Sequence, residues 1–262
     1  MKNKKEKILN YIHSLGISEA GVANDESGFS AFVCLFPYFS GYKDGANLSV
    51  YTYSEDYHIL VKKYLTKIAD YIKTQFPDVI TTLCVDNHSG NDRQMAHAAG
   101  LGIIGENLLL INKKYGSYVF IGYVLTNLSF PADTPLSGSC AKCGACYASC
   151  PGGMSNAFDI SKCASHISQK KGELTKREQE ILKKSGLVFG CDICQRVCPM
   201  NKNAALSHLP EFTENLKYTI TLDEISHLSE RQFKAEFGSR AFSWRGRKIL
   251  ERNLKILDCI KK

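Results

Sequence analysis

Nowhere in these 262 residues does an apolar run approach the ~18 residues that a membrane-spanning helix requires. No apolar segment follows the basic start Met1-Lys-Asn-Lys-Lys-Glu-Lys7 either, so no secretory signal peptide is visible. These two absences predict a cytoplasmic chain with no membrane partner. An excess of acidic residues is also missing: 33 Lys and Arg stand against 26 Asp and Glu, a formal charge of +7. Internal repeats are absent except for two runs of cysteine. Composition is otherwise that of an ordinary globular protein, 44% hydrophobic and 23% charged, and the length suits one large domain or two modest ones.

The sequence is rich in cysteine, with eleven, of which eight belong to the two runs and one outlier between them. The first run, Cys140-Ala-Lys-Cys143-Gly-Ala-Cys146-Tyr-Ala-Ser-Cys150-Pro151, reads C-x2-C-x2-C-x3-C-P, the bacterial ferredoxin pattern. The second, Cys191-Asp-Ile-Cys194-Gln-Arg-Val-Cys198-Pro199, is one cysteine short, and Cys163 upstream can supply it. In this pattern three thiolates wrap one cubane while the cysteine before proline ligates the other cluster. Cys140, Cys143, Cys146 and Cys198 then hold one [4Fe–4S] cluster, and Cys163, Cys191, Cys194 and Cys150 the second.

Disulfides and zinc are the competing readings. Disulfides need an oxidising compartment. Zinc uses C-x2-C pairs but gives no reason for x3-C-P to occur twice. Cys34, Cys84 and Cys259 lie among apolar neighbours and read as small buried hydrophobes. Two clusters, each near −2 with its thiolates, bring the formal charge to roughly +3. Simple electron carriers of this type tend to be acidic. A basic surface favours an anionic partner such as a nucleic acid or a phosphorylated cofactor, the bland alternative being solubility.

Periodicity predicts a helix over residues 4–15 ended by Gly16, a buried strand over 31–36 stopped by Pro37, and a loop over 39–50. A long helix follows over 54–76 with Ser54 as N-cap, then a β-branched strand over 79–85 that delivers Asp86 at its end. Residues 108–112 and 118–126 read as the two arms of a hairpin. Thr175-Lys-Arg-Glu178 is a capping box for a helix ending at Gly186. The fold class is α+β, divided as an α+β domain (1–135), a ferredoxin-like, mostly helical double-cluster domain (136–203) and a helical tail (204–262).

Several segments together resemble one family. They are Glu55-Asp56-Tyr57-His58; Val85-Asp86-Asn-His-Ser-Gly-Asn-Asp92-Arg93; Ala99-Gly100-Leu101-Gly102-Ile-Ile-Gly105-Glu106-Asn107; Gly190-Cys-Asp-Ile-Cys-Gln-Arg-Val-Cys-Pro199; and, in the tail, Arg245-Gly-Arg247 with Glu251-Arg252-Asn253. The combination is similar to epoxyqueuosine reductases, which carry out the last step of queuosine formation in tRNA with cobalamin and two [4Fe–4S] clusters, and which share their architecture with reductive dehalogenases. The chain departs from that pattern at Glu106, where a lysine is usual, and at Met200, where Pro-Trp-Asn is usual. It also stops at Lys262, so it reads as a short form without the C-terminal helical repeats of longer members.

The resemblance implies a cobalamin-binding 1–135 domain and assigns roles residue by residue. Asp86 becomes a general acid that protonates the departing epoxide oxygen, a role that needs a raised pKa of the kind burial beside a corrin supplies; by itself it is an ordinary strand-end turn residue. Arg93 becomes a contact for substrate phosphate, the alternative being an ion pair with Asp92. Asp56, Tyr57 and His58 line the corrin side of the pocket, or serve a helix N-terminus. Gly100, Gly102 and Gly105 allow a large cofactor to approach the backbone, and Asn107 hydrogen-bonds its amides. The stretch containing Lys170, Lys171, Lys176, Arg177, Lys183 and Lys184 tracks an RNA backbone or is a solvated helix face. An external low-potential donor is required. Two other functions compete: a two-cluster electron-transfer protein without cobalamin, and a cobalamin-dependent reductase of another substrate.

Overall fold

The computed structural model describes residues 1–86, 91–155 and 157–258. Packing sorts the chain into two units, each built from separated segments. Unit one comprises Met1–Tyr38, Tyr57–Lys142 and Asn203–Leu209; unit two comprises Phe39–Asp56, Cys143–Lys202 and Pro210–Lys262. The α+β class is observed.

In unit one, α1 (Lys2–Ser14) buries Ile8 and Ile12 on one face and stops at Leu15 and Gly16, the latter at φ 89°, as a helix-terminating glycine should. β1 (Glu19–Asn24) pairs antiparallel with β2 (Ser30–Pro37), Glu19 facing Leu35 and Asn24 facing Ser30. Sequence reading assigns no strand to β1, because Ala20, Gly21 and Ala23 have weak strand preference; the apolar partner strand imposes it. All eight residues of β2 are buried. One face, with Ala31, Val33 and Leu35, packs with Ala96, Ala99 and Tyr123. The other carries Phe36, tilted against Tyr64 at 5.5 Å between ring centroids. Both faces are covered, which is why β2 reads as a continuous apolar run rather than an alternation.

Next along the chain are α2 (Tyr57–Gln75), β3 (Thr81–Cys84) and α3 (Asp92–Ala98). Two short strands follow, β4 (Ile103–Ile104) and β5 (Leu110–Ile111), then β6 (Val119–Thr126). The sheet order is β1-β2-β6-β3, with antiparallel pairing throughout. Residues 110–111 therefore do not pair with 119–126. β5 pairs with β4, and β6 takes the centre of the sheet between β2 and β3. The reason is burial: β6 has five buried positions in eight and needs a partner on each side, which a two-residue arm cannot supply. Only the Asn112–Gly116 bridge of the expected hairpin forms. α2 starts three residues after Ser54, whose hydroxyl donates to the Glu55 carbonyl instead of capping the helix. It lies so close on β6 that a Cβ at Gly122 would stand 2.5 Å from a Val61 methyl. Truncating a side chain in this layer, such as Leu65, would cost about 2–5 kcal/mol.

Unit two is helical: α4 (Ala145–Ala148), α5 (Ala164–Ser168), α6 (Lys176–Ser185), α7 (Ile193–Arg196), α8 (Leu222–Ile225), α9 (Glu230–Phe237) and α10 (Arg247–Asp258). The Thr175–Glu178 capping box starts α6, and Gly186 in the left-handed region ends it. Ala164, Ile167, Leu174, Ile181 and Leu182 form a small core. The fully buried Asn253 of α10 donates to the carbonyls of Ser168 (2.7 Å) and Val188 (2.8 Å), tying the C-terminal helix to the cysteine-bearing chain. The 39–56 segment joins the same unit through a parallel Leu48–Phe189 bridge and a two-way bond between Asn47 and Ile220. Cys34 and Cys84 are buried, and burial pushes both thiols up, which fits inert core positions. Cys259 lies outside the described residues. No helix among the described residues is long and apolar enough to cross a membrane.

Candidate active site and metal centre

Unit one carries a polar corner where β3 ends. Asp86 sits there with φ 56°, in the left-handed region that a non-glycine residue enters only when held. The backbone is held by the Asp92 carboxylate, which accepts the Asp86 amide at 3.1 Å; Asp92 opens α3, whose cap is the Asn91 side chain. The side chain is held by Tyr57, whose hydroxyl donates to Asp86 Oδ2 at 2.6 Å, while His58 Nε2 lies 3.7 Å from the same oxygen. Tyr57 is itself fixed between two rings, Phe120 at 4.1 Å and 7° and His58 at 4.1 Å and 29°. Asp86 is nevertheless 64% exposed, so the chain's own atoms do not bury it. The corner presents a carboxylate and a phenol, with an imidazole beside them, to whatever binds there. Residues 87–90 of the associated motif lie outside the described residues.

Arg93 Nη1 donates to the Leu108 carbonyl at 2.8 Å. Leu108 is another left-handed residue, φ 61°, so Arg93 braces the loop that carries the glycines. His97 braces the same loop through the Gly102 carbonyl at 2.8 Å, a contact with no signal in the sequence. The glycines are explained within the chain. A Cβ at Gly100 would lie 2.7 Å from the Thr134 carbonyl oxygen, one at Gly102 2.7 Å from that of Ile111, and one at Gly105 2.7 Å from Asn107 Oδ1. The buried Asn107 accepts the Leu109 amide at 3.3 Å and shapes the turn. These close approaches account for glycine at all three positions. Asp56 belongs to unit two, where its amide donates to the Ser239 carbonyl at 2.7 Å.

In unit two the cysteine loops show matched construction. α4 follows Cys143 and contains Cys146; α7 contains Cys194; and the two helices pack together. Lys142 (φ 47°) and Gly144 (φ 69°) provide the left-handed turns that let three cysteines curl in seven residues. Cys163 and Cys198 each start a helical turn with nearly the same backbone angles, φ −73° ψ 119° and φ −72° ψ 121°. Two observations bring the distant Cys163 to its partners. Gly152, just after Cys150-Pro151, lies hard against Lys162, leaving no room for a Cβ. The Cys191 thiol is pushed up to about 12, by burial first, and further by the neighbouring Cys194, Asp192 and Cys163. Cys140 lies in the segment Tyr57–Lys142 and the other seven cysteines in unit two. None of the eight is in a disulfide. No three His, Cys, Asp or Glu among the described residues converge on one ion-sized point. A cubane does not require that, since each iron takes one thiolate.

One residue of this centre was missed by sequence reading. Asp192, between Cys191 and Cys194, is buried. Its carboxylate accepts from Ser49 Oγ (2.6 Å) and the Val50 amide (2.8 Å) and so nails the ligand loop to the 39–56 segment. Burial pushes its pKa up to about 6, opposed by those two donors and by the Arg196 charge. The only trace in the sequence is a charged residue inside a C-x2-C loop, where small or apolar residues would do.

Comparison with known proteins agrees with this picture. Residues 139–201 match the "4Fe-4S double cluster binding domain" family, and residues 30–87 match "Epoxyqueuosine reductase QueG, DUF1730". The epoxyqueuosine reductase of Bacillus anthracis is 34% identical over 208 residues, which are 77% of this chain and 54% of that protein. The chain thus spans about half the length of such curated relatives. A selenomethionine-labelled epoxyqueuosine reductase superposes with a TM-score of 0.86 at 26% identity, covering 97% of this chain and 81% of that one. An epoxyqueuosine reductase solved with a modified tRNA stem loop superposes at 0.84 and 26%, covering 97% and 80%. A reductive dehalogenase with a B12-dependent mechanism shares the fold at 0.51 and 17% identity, covering 97% and 35%. Over the part of their length that it spans, the chain is thus similar in sequence and in fold to the epoxyqueuosine reductases.

Proposed function

We propose that the chain reduces the epoxide of epoxyqueuosine in tRNA to queuosine, in the cytoplasm, drawing electrons from an external low-potential donor through its two [4Fe–4S] clusters. The observation that carries this reading is the pairing, in one chain, of a double-cluster unit with an aspartate held in the left-handed region and oriented by Tyr57. Removing an epoxide oxygen as water consumes two electrons and two protons and leaves a double bond. Clusters pass electrons singly, and an acid must supply protons to the oxygen. Asp86 is the residue for that step, Tyr57 and His58 orient it, and Arg93 holds the adjoining loop. The functional division at 1–135, 136–203 and 204–262 belongs to the same proposal.

The eight thiols suit the clusters: Cys140, Cys143 and Cys146 completed by Cys198, and Cys191 and Cys194 completed by Cys163 and Cys150. Cobalamin, which supplies a reducing metal centre when bound, enters the proposal from the similarity to epoxyqueuosine reductases and from the shared fold of a B12-dependent relative. In this proposal Asp56, His58, Gly100, Gly102, Gly105 and Asn107 would hold it. Glu106 in place of lysine favours a second reading, electron transfer without cobalamin.

Anaerobically reconstituted protein, titrated with cobalamin and then incubated with epoxyqueuosine-bearing tRNA and a low-potential reductant, tests both. Queuosine in the digested tRNA is the expected result. No spectral response to cobalamin and no queuosine, from protein with full iron, would leave the electron-transfer reading in its place.

A further inference from the structure

The exposed indole in unit two has no part in the site described so far. We propose that Trp244 and the guanidinium of Arg245 form an RNA-docking face that takes one nucleobase and an adjoining phosphate of the tRNA stem loop. This rests on the tRNA reading above and names the surface that would bind it.

Trp244 is the sole tryptophan of the chain and is 55% exposed, although the aromatic residues around it in sequence, Phe233, Phe237 and Phe242, are buried. An indole joins a large apolar face to a polar edge, which is why tryptophan is enriched at binding interfaces. The ring is also fixed. Its indole N–H donates to Gln169 Oε1 at 3.0 Å, and Gln169 in turn donates to the Ser165 carbonyl at 3.1 Å. The polar edge is thus pinned and the ring cannot rotate away. The Arg245 guanidinium lies 3.6 Å from the ring centroid, covering one face.

Arg245 differs from the arginines beside it. Arg247 is paired with Glu251 at 2.7 Å, and Arg240 donates to the Tyr53 carbonyl at 2.9 Å. Arg245 has no carboxylate partner among the described residues, and its Nε is buried without a hydrogen bond. A stacked guanidinium with its donors unspent is suited to a phosphate. The neighbouring turn adds charge of the same sign: Arg252 Nη1 donates to the carbonyls of Lys170 (2.7 Å) and Gly172 (2.5 Å), fixing the turn that carries the exposed Lys171.

An acidic electron-donor protein would also be drawn to positive charge, but charge alone would satisfy it. A rigid indole with an Arg on one face is a stacking platform, the device by which proteins hold unpaired bases. The observations therefore favour RNA.

The test uses the cluster-loaded full chain and a fluorescein-labelled, epoxyqueuosine-bearing tRNA stem loop, with the unmodified stem loop alongside. Trp244→Ala should weaken binding about tenfold or more, and Trp244→Phe should keep most of it. Arg245→Gln should lower the slope of log affinity against log salt by about one. Stem-loop binding should also quench the emission of the single tryptophan. Iron content and helicity should match wild type, and Lys73→Gln on α2 should change nothing. Unchanged affinity in Trp244→Ala and Arg245→Gln, with wild type still binding and reducing the stem loop, overturns this face and leaves the reductase reading standing. Wild-type protein that neither binds nor reduces it overturns both. Variants that bind RNA normally but accept electrons more slowly from an acidic flavodoxin overturn the RNA assignment in favour of a protein donor.

Discussion

Two aspartates serve the two reactive regions, and they are held in opposite ways. Asp86 in unit one is exposed, sits in a left-handed backbone conformation and is gripped by side chains: Tyr57 on its carboxylate, Asp92 on its amide. Asp192 in unit two is buried between two cluster ligands and anchors a loop through a hydroxyl and a backbone amide. The first arrangement keeps a carboxylate accessible to solvent and substrate. The second keeps a pair of thiols in place and denies the carboxylate to either. On the proposed chemistry, aspartate serves as a reagent in one unit; in the other it is a fastener.

The sharpest break between them is expected at the cluster ligands. Cys163→Ser should lower iron and sulfide from about eight of each per chain to about four. Retention of eight would show that Cys163 is no ligand and that the Gly152–Lys162 contact brings it near for packing alone. Asp86→Asn comes next. Asparagine tolerates the left-handed region, so the fold and the iron should survive, while turnover falls about 10²- to 10⁴-fold. Full turnover in that variant would remove Asp86 from the chemistry and make both aspartates structural.

How far these differences were legible follows from how each is encoded. The cysteine spacing is local and chemical, so all eight candidate ligands could be named, Cys163 included. The helices α1, α2 and α6 announce themselves by apolar period and caps. β1 does not, since Ala20, Gly21 and Ala23 become a strand only because β2 lies beside them. The partner of β6 was misread for a related reason: a turn at 113–117 is local, but the claim of β2 and β3 on an apolar central strand is not. At the candidate site, Asp86 could be named from the family-like segment that carries it, but not Asp92 on its amide or His97 on the glycine loop. Those contacts join residues through backbone atoms, which carry no sequence signal. What the missing Cβ atoms of Gly100, Gly102 and Gly105 would meet, namely Thr134, Ile111 and Asn107, is likewise set by the fold and not by the local sequence.

A smaller effect is expected from the fastener. Asp192→Ala removes the acceptor of the Ser49 hydroxyl and the Val50 amide and leaves both buried, which should cost about 2 kcal/mol. For a chain of this size that is a fall of several degrees in Tm of the cluster-loaded protein. The opposing effect is relief of a buried charge, since burial already pushes this carboxyl up to about 6. Asp192→Asn separates the two: it keeps one oxygen acceptor and discards the charge. If Asn is more stable than wild type, desolvation outweighs the two bonds. If Asn falls between wild type and Ala, the bonds dominate, and the loop is held by geometry rather than by charge.

The smallest effect is expected from Tyr57→Phe, and it probes the other side of the contrast. The substitution deletes one hydroxyl and leaves the ring free to stack between Phe120 and His58 as before. Asp86 is exposed, so water can replace the lost donor, and stability should change by no more than about 0.5 kcal/mol. Turnover should fall about tenfold, the worth of one hydrogen bond that orients a reacting group. A fall as deep as that of Asp86→Asn would mean that the phenol supplies the proton and the carboxylate only holds it at 2.6 Å. The roles within the corner would then be exchanged, and Asp86, like Asp192, would be a residue that positions another.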